Sequence, residues 1–399
     1  MLKLVSILHP ALGRVAPLER LALPDEWVTT IVAPDGAAAG LLDAPHRIPM
    51  PQRGRSSAAG YRMLGRTIAR IGADIIHLRA DVCSPLALRV AWLCGPPAKP
   101  AFVLEWAHPD HPDLSWPGSW LARRTLTRVD ALVTRHAHAI AGMRTLGFHG
   151  VGVVASSGGH LGALSGRAAA RQALGLPPAG APVFGWAGRI HPKSDVFDLL
   201  EALAICQNEA ALVIPVDGPL RNGILDHADA LEILHRVRCI EPGTDGPART
   251  RATHPVSGHP MLDAIDALIL TPSRAEAART SYGDAVEQAQ LHGVPVIHSS
   301  LPGLVEMVGP GGWPVNAEDP GLLSCLLDEI SANPALIAAA SEAATAHAVR
   351  RHSITSVRAS LALAVRAAYS SRRQANGAQD TGGARGFAHP GGTRKAGGT

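Results

Sequence analysis

The stretch PVFGWAGRIHPKSDVFDLLEAL, residues 182–203, reads as a strand, a tight turn and a helix. An apolar run ends at Ala187, Gly188 and Pro192 mark the turn, and a helix opens near Ser194 or Asp195. Within that helix Val196, Leu199, Leu200 and Leu203 recur with a period near 3.6, the signature of one buried stripe. Outward from this unit the pattern repeats. LKLVSIL (2–8), WVTTIVA (27–33), DIIHL (74–78), AFVLEWA (101–107), ALVTR (131–135) and VGVVA (151–155) read as strands of a first half. PVFGWA (182–187), ALVIPV (211–216), ALILT (267–271) and VPVIHS (294–299) read as strands of a second. Helical stretches such as the one holding Leu64, Ile68 and Ile71 lie between them. Strand and helix in alternation give a parallel sheet covered on both faces, with right-handed crossovers.

The fold class is therefore α/β: two tandem doubly wound domains facing across a cleft. Their division is expected at residues 1–165 and 182–345, with LGLPPAGAP (174–182) as the linker. An Ala-rich helical region from about Asn333 to Ser370 is interrupted around His352 to Thr355, and its last part, 346–370, is expected to pack back across the domains. Residues 371–399, rich in Gly and Arg, read as disordered. In open parallel sheets the ligand lies beyond the carboxyl ends of the strands, which puts the functional cleft between the domains.

Composition bounds the partners. With 399 residues, 46% hydrophobic and 18% charged, the chain is globular and long enough for two cores. The formal charge of +4 is matched by the last 29 residues alone, where Arg372, Arg373, Arg385, Arg394 and Lys395 stand against Asp380. The body is neutral, so no nucleic-acid groove is expected in it. Five scattered cysteines without a Cys-x-x-Cys pair argue against a disulfide scaffold or a structural zinc. No apolar run approaches the ~18 residues of a membrane span, and the opening MLKLVSILHP is too short for a signal core, so a cytoplasmic protein is expected.

Two stretches carry chemistry. After the strand at 182–187, Arg189 and Lys193 sit in a turn beside a helix start, where backbone N–H groups and the helix dipole favour an anion such as a diphosphate. Neither a dinucleotide fingerprint nor a P-loop pattern occurs there. In DAIDALILTPSRAEAARTSYGDAVEQAQLHGVPVIHSS (263–300), a helix begins near Gly283, a residue that lets a ligand approach the backbone. The amides of Gly283, Asp284 and Ala285 are expected to point into the cleft, with Thr280 and Gln288 contacting the same ligand.

At these residues the second half resembles the nucleotide-binding domain of retaining glycosyltransferases with the GT-B fold, of the group 1 or family 4 type. The resemblance rests on Gly188 and Arg189, Lys193, VDGP at 216–219, Pro272 and Ser273, Tyr282 and Gly283, GVPV at 293–296, and PGLVEMVGPGG with Glu306. It is strong over 182–345 and weaker over 74–160. It implies transfer of a sugar from a nucleotide-diphosphate donor, with retained configuration and no metal or cofactor, to a saccharide or lipid-linked acceptor in polysaccharide biosynthesis. It further implies that Arg189 and Lys193 steady the departing diphosphate and that Gly283 and Asp284 hold the sugar. Gln288 would meet the ribose, and His108, just past a strand, would orient the sugar. The two family glutamates fall on Thr280 and Gln288, with Glu287 one position out of register, so both carboxylates are replaced. The Arg189–Lys193 turn is a residue shorter than the family's, and HPALGRV (9–15) replaces its Gly-rich loop.

Two other readings stand beside this one. Loss of both carboxylates suits a catalytically silent binding protein. His108, Asp110, His111 and Asp113 suit a metal-dependent hydrolase, although their spacing matches no zinc signature. Finally, Arg62, Arg66 and Arg70 recur opposite Leu64, Ile68 and Ile71, and Trp116 and Trp120 precede Arg123, Arg124 and Arg128. Such faces suit either the anionic inner surface of the cell membrane or plain solvent.

Overall fold

The computed structural model describes residues 2–8, 27–34, 47–50, 58–94, 100–106, 118–156, 166–176, 180–188, 195–216, 218–241, 261–273, 282–316 and 319–383. Among them lie two sheets in which all pairings are parallel. The first runs β1 (Leu2–Leu8), β2 (Trp27–Pro34), β3 (Arg47–Met50), β4 (Ile75–Arg79), β5 (Ala101–Glu105), β6 (Ala131–Thr134) and β7 (Val151–Val154), in spatial order β3-β2-β1-β4-β5-β6-β7. The second holds β8 (Val183–Trp186), β9 (Ala211–Pro215), β10 (Val237–Ile240), β11 (Ala267–Leu270), β12 (Val296–Ser299) and β13 (Gly312–Val315), in order β10-β9-β8-β11-β12-β13. Both orders reverse beside the first strand of their sheet, at β1/β4 and β8/β11, and these are the places where a doubly wound sheet opens a crevice.

Three strands have no counterpart among those read from the sequence: β3, β10 and β13. All are edge strands, and β3 and β13 contain Pro49 and Pro314. Proline cannot donate to a ladder, so inside a strand it hides the pattern and is tolerated at an edge, whereas Pro34 and Pro215 of the interior strands β2 and β9 stand at their ends.

Alternation along the first sheet divides its core. Val5, Ile7, Ile76, Leu78, Phe102 and Leu104 face α1 (Ala58–Ile71), α2 (Pro85–Leu93), α3 (Gly118–Leu126) and α4 (Ala137–Thr145). Leu4, Ile75, Ala101, Val103, Ala131 and Val133 face the other way, onto Val357, Leu361, Ala364, Val365 and Ala368. That second cover is the last helix of the chain. The second sheet is filled in the same way, with Val183, Val213, Leu268 and Val296 in one layer and Phe184, Trp186, Leu212, Ile214 and Ile269 in the other.

Three expectations about boundaries are corrected. Helix α5 (Arg167–Ala173) precedes the Pro/Gly stretch yet packs Ala170 into the second core, and its Arg171 donates to Asp266 at 2.6 Å, so the second domain begins upstream of residue 174. The crossing back lies at His352–Ser353 rather than at 346. A helix over Pro334–Arg351 stays on the second domain, where Ser341 Oγ donates to Gly293 O at 2.5 Å, and a further helix over Ile354–Gly383 lies on the first sheet. This last helix runs well into the segment expected to be disordered. Arg372 pairs with Asp130 at 2.7 Å, a tertiary contact that composition does not report. The remainder of that segment, 384–399, lies outside the described residues.

Candidate functional site

Among the described residues the remaining helices are α6 (Asp195–Ile205), α7 (Pro219–Ala230), α8 (Met261–Ala264), α9 (Gly283–Leu291), α10 (Pro302–Val308), α11 (Pro320–Ala332) and α12 (Pro334–Arg351) of the second domain, and α13 (Ile354–Gly383), which covers the first sheet. The site is built where β8 and β11 end. Beyond Trp186 the chain passes through Gly188, where a Cβ would stand 2.2 Å from the Trp186 indole, so only glycine makes this turn. Asp195, in the first turn of α6, accepts from Trp186 Nε1 at 3.4 Å and from Thr271 Oγ1 at 3.0 Å. One carboxylate thereby ties the ends of both strands across the switch point. Ser299 Oγ donates to Pro272 O at 2.9 Å and fixes the start of the loop after β11.

That loop leads to α9. Tyr282, its N-cap, is buried, and Gly283 begins the helix. What lies against Gly283 comes from the first domain: a Cβ there would meet Arg135 Nη1 at 2.1 Å and Cδ at 2.7 Å. Arg135 follows β6, its side chain is 9% exposed, and its Nη2 reaches Asp284 Oδ1 at 2.5 Å. Burial opposes its charge, but Asp284, then Glu287 and Glu105, outweigh burial and hold it cationic. Glu105 itself sits in a buried polar row. Ser6 Oγ lies 3.1 Å from His77 Nδ1, His77 Nε2 lies 3.2 Å from Glu105 Oε2, and Arg79 Nε lies 3.6 Å from Glu105 Oε1. Burial pushes the Glu105 carboxyl up, yet Arg79, the His77 hydrogen bond and Arg135 bring it down to about 2.

A second contact joins the domains beside this one. Glu306 on α10 accepts from Ala137 N–H with both oxygens at 2.7 Å and from His138 N–H at 3.3 Å, capping α4. Arg351, at the end of α12, donates to Arg135 O at 2.7 Å, to Glu306 O at 3.2 Å and to Glu306 Oε1 at 3.3 Å. Behind it His352 Nε2 faces Gln290 Oε1 at 3.0 Å. Burial lowers its pKa to about 4 against the pull of Glu287.

Of the residues singled out from the sequence, Gly188, Tyr282, Gly283, Asp284, Ala285 and Gln288 are described. His108, Arg189, Lys193 and Thr280 lie outside the described residues, as do Asp110, His111 and Asp113. Among the described residues no three His, Cys, Asp or Glu stand together as metal ligands. The Ala285 amide leaves the expected trio, because it donates to Tyr282 O at 3.0 Å. Asp284, expected to act through its amide, also meets Arg135 with its side chain. Gln288 is half-buried, while the out-of-register Glu287 is fully buried toward Arg135 and His352. Successive helix positions differ by about 100°, which separates the two. Arg135 and Arg351 had no sequence signal, since each acts on a residue more than 100 positions away or across a domain boundary.

The architecture has solved counterparts. The Anabaena protein HepE, in a structure with UDP, superimposes with a TM-score of 0.70 at 17% identity, covering 90% of this chain and 98% of that one. Sucrose-phosphate synthase from Thermosynechococcus elongatus gives 0.68 at 15% identity, covering 92% and 100%. The fold is GT-B. Within this GT-B frame the turn at Gly188 and the start of α9 belong to the second Rossmann-like domain and face the cleft side of its sheet. By sequence, the chain is 33% identical over 194 residues to the D-inositol 3-phosphate glycosyltransferase of Streptomyces avermitilis, and 30% over 168 residues to that of Mycolicibacterium gilvum. These matches cover 46% and 42% of this chain, and 39% and 35% of the relatives' own length. No family model matches the chain.

Proposed function

We propose that the protein is a retaining glycosyltransferase that moves a sugar from a nucleotide-diphosphate donor to a saccharide or lipid-linked acceptor, without a metal or cofactor. One observation carries the reading: the two segments whose sequence matches the donor loops of GT-B transferases follow β8 and β11, the strands that flank the switch point of the second sheet. The sequence likeness to named glycosyltransferases and the binding of UDP and UDP-glucose by HepE support it. In this reading Arg189 and Lys193 neutralise the leaving diphosphate, the amides of Gly283 and Asp284 hold the sugar, Gln288 meets the ribose and His108 orients the sugar. Thr280 replaces a carboxylate and selects among sugars by neutral hydrogen bonds. A thermal-shift screen against UDP-, GDP-, ADP- and dTDP-sugars tests the donor class, and silence toward all of them at millimolar concentration counts against it. For the responding donor, Lys193→Ala is expected to lower turnover by about 30- to 1,000-fold.

The acceptor side of the proposal is a cytoplasmic enzyme resting on the inner face of the cell membrane. The sequences of α1, α2 and α3 contain no carboxylate but carry Arg62, Arg66, Arg70, Arg89, Arg123 and Arg124. Two exposed indoles stand among them, Trp92 with Arg128 4.5 Å above its ring and Trp120 with Arg124 5.0 Å above its ring. Aromatic rings and cations together suit an anionic interface. Flotation with vesicles of phosphatidylglycerol is expected to recover the protein and vesicles of phosphatidylcholine to leave it behind. Equal recovery from both would refute an electrostatic contact.

A further inference from the structure

Arg135 occupies an electrostatically awkward place. A cation on the first turn of a helix stands at the positive end of its dipole, yet this guanidinium lies against Gly283 and is shielded from water. Asp284 answers its charge directly, while Glu105 from the first domain and Glu287 from the second act through space. The main chain of Arg135 is also held from the second domain, since Arg351 donates to its carbonyl at 2.7 Å. The side chain therefore cannot leave α9 while the junction is intact, and α9 cannot shift without breaking the Asp284 contact.

We propose that Arg135 is a positioning residue for the proposed transfer, fixing the first turn of α9 against the carboxyl end of the first sheet so that the donor site is set only when the two domains are together. The inference rests on the reading of α9 as part of the donor site. It assigns to the first domain a direct hold on a segment of the second, and it gives Gly283 a second purpose. A side chain at that position would push the guanidinium off the helix.

Four variants of the full chain test it: Arg135→Met, Arg135→Lys, Asp284→Asn, which keeps the Asp284 amide, and Gly283→Ala. Small-angle X-ray scattering reads domain separation without any donor. Steady-state assays with the donor found in the panel read kcat and KM. Arg135→Met, Asp284→Asn and Gly283→Ala are each expected to raise the radius of gyration and to lower kcat at least tenfold, with KM within about threefold of wild type. Arg135→Lys is expected to recover part of kcat. If Arg135→Met does not fold, Asp284→Asn and Arg135→Lys decide. An unchanged radius of gyration and kcat in folded Asp284→Asn and Arg135→Met overturns the proposal. So does a rise in KM with kcat unchanged, which would make Arg135 a ligand. Should the wild type respond to no nucleotide sugar, the donor reading fails by itself. Expansion in the scattering experiment then still upholds Arg135 as the tie on α9, and its absence overturns that tie.

Discussion

Two helix starts face the domain junction, and they are satisfied in opposite ways. At α4 an anion from the other domain, Glu306, takes the first backbone N–H groups, and the His136 ring accepts from Ala139 N–H at 3.2 Å. At α9 the side chain from the other domain is a cation, Arg135, and the helix supplies its own acid, Asp284, to meet it. The first contact uses amides and agrees with the helix dipole. The second is made between side chains and works against the dipole, so it depends on the surrounding carboxylates. The α4 contact is thus the kind that stabilises by itself, whereas the α9 contact is a specific tie that holds only while its partners are complete.

The sharpest way to break this comparison is Arg135→Met. It leaves Asp284, Glu287 and Glu105 without their shared cation; a broken buried pair typically costs ~3–5 kcal/mol, and solvent at the 35% exposed Asp284 screens its share, so a loss of roughly 3–4 kcal/mol is expected; urea unfolding of the full chain checks this. The next effect is in pH. His352 is buried behind Glu287 with a pKa of about 4 rather than the ordinary 6.5. Between those values the unfolded chain takes up a proton that the folded chain refuses, so stability should fall as pH drops from about 6.5 to about 4 and level off below, by ~3 kcal/mol in all. His352→Gln should flatten that part of the pH profile, and a slope equal to wild type would place its origin elsewhere. Glu306→Gln should cost less, ~1–2 kcal/mol, because the amide can still accept from Ala137 while the charge at the helix start is lost. A loss equal to that of Arg135→Met would erase the distinction between the two contacts. Smallest of all, Arg372→Ala should cost ~1 kcal/mol, since Asp130, raised by burial, keeps its bond from Phe102 N–H at 2.8 Å. No change on melting would mean that the end of α13 contributes nothing to the first domain.

The same contrast explains what was legible beforehand. Central strands such as LKLVSIL and AFVLE stood out because both faces of the sheet are covered and most of their residues are apolar, with only Lys3, Ser6 and Glu105 polar. Edge strands such as RIPM and GWPV did not, because they carry prolines and little alternation. Around the site, Gly188, Gly283 and Asp284 were visible because short-range turn and helix-start chemistry fixes their residue types. The Arg135 contact was not, since nothing near residue 135 in the chain distinguishes a buried interdomain arginine from a solvated one. Glu306 was noted within a matching motif, but the α4 amides that it caps lie 169 residues earlier. Composition alone misread residues 371–383 as disordered, where an ion pair to Asp130 anchors a helix.

The amino-acid sequence by itself determined the alternation of strand and helix, the doubling of the domain and the Gly-containing turns after β8 and at the start of α9, because hydrophobic period and turn chemistry are local properties. Tertiary structure alone decided where the second domain begins, which helix covers the first sheet and which charges meet across the junction. Those outcomes depend on side chains brought together from distant parts of the chain, where burial turns an ordinary arginine or glutamate into a residue that must find its partner.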